Sequence, residues 1–160
     1  MHLIVTLSGD DLREAENFAT TVRNLVSSVT ERNVRGMRQS PYPPLYRSGV
    51  VYAVDPPGIV SLADAETVLK RGWGHCGHLS AYLAAELIVQ GFGAGIRIRW
   101  PWERKRGRRL FHVQVRLDPK HGYGPPGYGQ IDDPSNAAEG QILDPSRMLG
   151  MGRNHLVGWL

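Results

Sequence analysis

Two stretches of alternating sequence limit what this chain can fold into. "IRIRW", within Ala94–Trp100, and "FHVQVRL", within Leu110–Leu117, send successive side chains to opposite sides, the period of a half-buried strand. Between them Glu103–Arg109, "ERKRGRR", carries five basic side chains and one acidic one, so the pair reads as an antiparallel hairpin with a charged tip. Most of the regular sequence before residue 94 has helical spacing instead. Leu12, Ala15, Ala19, Val22, Val26 and Val29 form one apolar face of a helix that opens at Ser8 or Asp10 and runs to about Arg32. Ser61-Leu62-Ala63-Asp64 reads as a capping box with Asp in place of Glu. It opens a helix whose stripe is Leu62, Ala65, Val68 and Leu69, stopped by Gly72. A further helix spans Cys76 to Gln90, with Leu79, Leu83 and Leu87 near one face and Gly91 as its stop. Short strands are expected at His2–Leu7, Val50–Val54 and Gln141–Leu143. Helices followed by an antiparallel sheet define an α+β fold, with N-terminal helices packed on a small antiparallel sheet.

The 160 residues suit a single domain, 1–160, with one core. Two stretches, 33–49 with its "SPYPPLYRSG" and 118–139 with its "DPKHGYGPPGYGQ", break every periodicity and read as loop-rich arms. No apolar run reaches the roughly 18 to 20 residues of a membrane span. The N-terminus turns acidic after a few apolar residues, so no secretory signal is expected. A lone cysteine excludes an internal disulfide. The net charge of +4 is too weak to imply nucleic acid. Trp100 and Trp102 beside the basic run suit a protein interface better.

That cysteine sits in Gly72–His78, "GWGHCGH". Three roles compete for Cys76: a nucleophile, a metal ligand and a small core residue. A thiol reacts as the thiolate, and a helix start lowers its pKa, so the placement of Cys76 suits a nucleophile. The glycines let backbone N–H groups approach a substrate carbonyl. His75, Cys76 and His78 lack the usual paired metal spacing, and residues two apart on a helix diverge, so no metal or cofactor is expected. A nucleophile needs a base and the base an orienting group. His112 is the best base. Alternation sets His112, Gln114 and Arg116 on one face and Phe111, Val113, Val115 and Leu117 on the other. His112 is therefore expected opposite the core-facing set or at a covered sheet edge. Asp144, ending the next short strand, is placed to orient it.

These pieces resemble a known family. Gly74-His75-Cys76 followed by "LSAYLAAELIVQGF", then "FHVQV", then "ILDPSRMLGM" are similar to transglutaminase-like, papain-related cysteine proteins encoded by bacteriophages, over about residues 60–152. The resemblance implies a papain-like fold with Cys76 as nucleophile, His112 as base and Asp144 as its orienter. It implies acyl transfer through a thioester to water or an amine, on a protein or peptide substrate. One departure is plain: relatives often carry acids around the cysteine, where this chain has His75, Gly77 and His78. The resemblance also implies a virion-associated protein, found in the virion or the host cytoplasm. Such a protein would contact other virion or assembly proteins through 33–49, 100–110 and 118–139, with no membrane partner. The other reading is a catalytically silent structural component, a head-to-tail connector or tail protein that keeps the fold.

Overall fold

A computed structural model describes residues 2–5, 15–56, 60–99, 102–103, 108–109, 111–118, 120, 130–131 and 140–150. The fold is mixed α+β. Strand β1 (His2–Val5) leads to helix α1 (Ala15–Gln39); its expected opening at Ser8 or Asp10 lies outside the described residues. A 3-10 turn at Leu45–Arg47 precedes β2 (Val51–Tyr52), β3 (Val60–Ala63), α2 (Ala65–Arg71), β4 (Trp73–Gly74) and α3 (Cys76–Val89). Strands β5 (Ala94–Arg99), β6 (Trp102–Glu103), β7 (Arg108–Arg109), β8 (His112–Leu117), β9 (Gln130–Ile131) and β10 (Ile142–Leu143) follow, and α4 (Pro145–Met148) comes last.

The main sheet is antiparallel with order β5-β8-β10-β9. The expected hairpin forms: β5 pairs β8 from Ala94↔Leu117 to Arg99↔His112, and β6 pairs β7 beyond it. The tip, 104–107, lies outside the described residues, as does most of 118–139. Two small ribbons complete the strands, β1 with β3 antiparallel and β2 with β4 parallel.

The structure corrects three local expectations. Residues 61–63 are strand, not a helix start, because Leu62 pairs with Leu3 in β1. Asp64 caps α2 alone, its Oδ1 accepting from Thr67 N at 3.1 Å and Thr67 Oγ1 at 2.6 Å. Next, α1 runs seven residues past Arg32, because Val34 and Met37 continue its buried stripe. Gly36 fits there because Tyr42 lies over it: a Cβ would stand 2.9 Å from the phenol oxygen. Finally, the end of the 33–49 stretch is no projecting arm. Leu45 is fully buried, its N–H donates to Glu86 Oε2 at 2.9 Å, and Tyr82 Oη donates to Pro43 O at 2.6 Å. The prolines prevent helix here, yet the segment lies against α3 as part of the core.

Helix α3 is the centre of the molecule. Every residue from Cys76 to Leu87 is buried, which fits a helix apolar nearly all round. Ala81, Ala84 and Ala85 are fully buried on it and let neighbouring elements come close. Leu79, Leu83 and Leu87 pack with Val115, Leu117 and Leu143 of the sheet, while Cys76 and Ala81 pack with Val22, Val26, Phe111 and Val113. The first turn of α3 is thus pinned between α1 and β8, and Ser80 Oγ donates to Val113 O at 3.0 Å to fix it there.

Candidate active site

Cys76 is the first residue of α3 and is 1% exposed. His112 and Asp144 are each 1% exposed as well. Sheet register brings the latter two together. Leu143 pairs with Val115 and Ile142 with Arg116. Continued by one step, that register sets Asp144 beside Gln114, on the face that also carries His112. His112 Nε2 lies 2.7 Å from Asp144 Oδ2, and Gln114 Nε2 donates to the same oxygen at 3.2 Å. Arg97 Nη1 in turn donates to Gln114 Oε1 at 3.2 Å. Asp144 also caps α4, its Oδ1 accepting from Arg147 N at 3.4 Å. Burial works against the Asp144 carboxylate, but His112, Gln114 and the α4 amide outweigh it and hold its pKa below the usual range.

The other ring nitrogen of His112, Nδ1, is buried and has no hydrogen-bond partner among the described residues. A buried orphan of this kind is costly. Burial disfavours the His112 imidazolium, but Asp144 and the thiol favour it, and its pKa rises to about 9. Burial likewise disfavours the thiolate. His112 and His75 favour it, and with both rings charged they bring the thiol down to about 6.

His75 and His78 form a reciprocal helix cap. His75 Nδ1 accepts from Gly77 N at 3.0 Å, and His78 Nδ1 accepts from His75 N at 3.2 Å. The rings stack with centroids 3.7 Å apart. Arg71, lying over the Trp73 ring at 3.8 Å, donates from Nη2 to His78 Nδ1 at 2.8 Å. His75 Nε2 lies 2.7 Å from Ser61 O and 3.2 Å from Asp55 Oδ2. Asp55 is buried, which opposes its charge, but His75 and both Ser61 donors lower its pKa to about 2.

Burial opposes a second proton on His75, while Asp55 and the thiol attract one and would raise its pKa to about 9. That proton would have to sit on Nδ1, against the Gly77 N–H that points at it. The cap therefore keeps His75 neutral, and His112 is the ring that supplies positive charge to the thiol.

Sequence reasoning placed Cys76, His112 and Asp144, and the structure brings His112 and Asp144 into contact beside the thiol. It missed Asp55, and it left Gln114 without a role. The alternation of β8 was the available signal for Gln114, since it shares the His112 face. Among the described residues no group of three or more His, Cys, Asp or Glu side chains is arranged to hold a metal, and no helix is long and apolar enough to cross a membrane. No protein-family model, curated protein or solved structure matches the chain.

Proposed function

We propose that this chain is a papain-related, transglutaminase-like cysteine acyl-transferase or hydrolase, in which Cys76 attacks a carboxamide or peptide carbonyl. The observation that carries it is the His112 ring: one nitrogen held by Asp144 at 2.7 Å, the other buried, unpaired and beside a thiol whose pKa it lowers. The thiolate sulfur adds to the carbonyl carbon, and the charge moves to the carbonyl oxygen. Gly77 N–H is already committed to His75, and Leu79 N donates to His75 O at 3.0 Å. The N–H of Cys76, in the first turn of α3, would receive that oxygen. The His112 imidazolium then gives its Nδ1 proton to the leaving amine, and a thioester forms. Water or an amine, deprotonated by the same nitrogen, releases the acyl group and restores the thiol.

Asp144 keeps the imidazole in the orientation both half-reactions need, while Gln114, itself held by Arg97, holds Asp144. The resemblance supports a phage origin, a virion or host-cytoplasm setting and assembly contacts through 33–49, 100–110 and 118–139, and Trp100 and Trp102 beside the basic run support the second of these contacts. A second reading, a silent component of a phage particle, is favoured by the 1% exposure of Cys76, which leaves a substrate little approach to the sulfur in this conformation. A cysteine-directed acyl probe separates the two. Under the enzyme reading it labels Cys76, and His112→Ala slows labelling strongly. Equal labelling of both proteins overturns that reading.

A further inference from the structure

Cys76 has a second histidine–carboxylate pair beside it, which the reaction above does not use. We propose that His75 is a positioning residue for Cys76: a neutral ring, held by Ser61 and Asp55, whose Nδ1 lone pair fixes the first turn of the thiol-bearing helix. The inference rests on the acyl-transfer reading, in that it assigns the residue that aims the nucleophile.

The two nitrogens of His75 meet opposite chemistries. Nε2 faces only acceptors, Ser61 O at 2.7 Å and Asp55 Oδ2 at 3.2 Å, so it carries the proton. Nδ1 faces a donor, Gly77 N–H at 3.0 Å, so it carries the lone pair. A backbone carbonyl cannot donate, and a backbone amide cannot accept. The tautomer is thereby fixed from both sides by groups that do not titrate. Asp55, which Ser61 holds through both N–H and Oγ at 2.6 and 2.8 Å, polarises the Nε2–H bond and makes Nδ1 a better acceptor. The titratable and charged groups around the ring are Asp55, the Cys76 thiol, the stacked His78 and, through His78, Arg71.

Gly77 is part of the same device. A Cβ there would stand 3.0 Å from His75 Cε1 and 3.3 Å from Nδ1, so a side chain at 77 would require the ring to give by a few tenths of an ångström. An acid in the place of His75 could cap the helix, but a short carboxylate would not reach Ser61 O and Asp55 as well. The imidazole joins helix start, β3 and the 53–56 segment in one side chain.

The experiment compares His75→Ala with His75→Asn in the full chain. Asn keeps a capping oxygen but carries no charge at any pH. The pH profile of Cys76 alkylation by iodoacetamide reads the thiolate midpoint, and 15N spectra of the imidazoles read the tautomer. Wild type is expected to show His75 protonated on Nε2 only, at neutral pH. His75→Ala raises the alkylation midpoint by about one unit as the helix start loses its cap, and His75→Asn restores most of it. An Asn variant shifted as far as Ala means that His75 acts by charge, and the proposal fails. An imidazolium or an Nδ1–H tautomer in wild type also overturns it, as does an Ala variant with an unchanged midpoint. None of these readouts needs turnover. An acyl probe that ignores His112 therefore sinks the enzyme reading separately.

Discussion

The two histidine–carboxylate pairs at Cys76 have the same composition and opposite wiring. In each, a buried carboxylate lies beside Nε2, at 2.7 Å for Asp144 with His112 and 3.2 Å for Asp55 with His75. The difference is at Nδ1. On His112 it is empty; on His75 it is taken by the Gly77 amide. A carboxylate–imidazole pair by itself therefore says little about catalysis. What marks a base is a nitrogen that the folded protein has left unbonded at the reacting atom. His112 can leave it so because it comes from a strand, whose amides are consumed by β5 and β10. His75 stands at a helix start, where free amides need an acceptor.

The largest effect is expected from His112→Ala. It removes the ring whose Nδ1 has no hydrogen-bond partner among the described residues, and acyl labelling of Cys76 should fall by at least ~100-fold, read as the rate of adduct formation by mass spectrometry. His75→Asn should leave most of that rate, and the comparison breaks if the two variants lose it equally.

The pH dependence sharpens the contrast. The Cys76 pKa is lowered, so the thiolate is lost as pH falls through its folded value, no lower than about 6. The His112 pKa is raised, so the stability its imidazolium contributes is complete below about 6.5 and lost as pH rises through about 9. The charged pair therefore stabilises the fold chiefly between those limits. Thermal unfolding midpoints should decline outside that window in wild type. In His112→Ala the profile should flatten. A wild-type profile flat from pH 5 to 10 would contradict the pair.

A smaller effect is expected from Gln114→Met. It removes one donor to Asp144 and the acceptor for Arg97, costing about 1–2 kcal/mol in urea unfolding. Labelling should fall less than tenfold, because the His112–Asp144 bond remains. The smallest is Ser80→Ala, which unties α3 from β8 at Val113 O. It should cost about 1 kcal/mol and leave the thiolate midpoint in place, since it touches neither imidazole.

The sequence was readable where one local pattern governs. Alternation located β5 and β8, and helical spacing with Gly72 located α2 and α3, while the short α4 that Asp144 caps was not foreseen. It failed where partners are distant. Nothing local says that 61–63 pairs with residues near the N-terminus, or that Leu45 among prolines enters the core beneath Glu86. His75 and His78 were visible as departures from an acidic motif, but their meaning was not. A histidine at a helix start has no strong capping preference, and Ser61 O and Asp55 reach it from 14 and 20 positions upstream.

The close approach of Gly77 to the His75 ring has a consequence for how this site can change. A Cβ at 77 would stand 3.0 Å from the His75 ring, so a side chain there is admitted only if the imidazole gives by a few tenths of an ångström. Substitution at 77 is therefore coupled to position 75. A library that varies both positions should return side chains at 77 more often where 75 has lost its ring than where it keeps it.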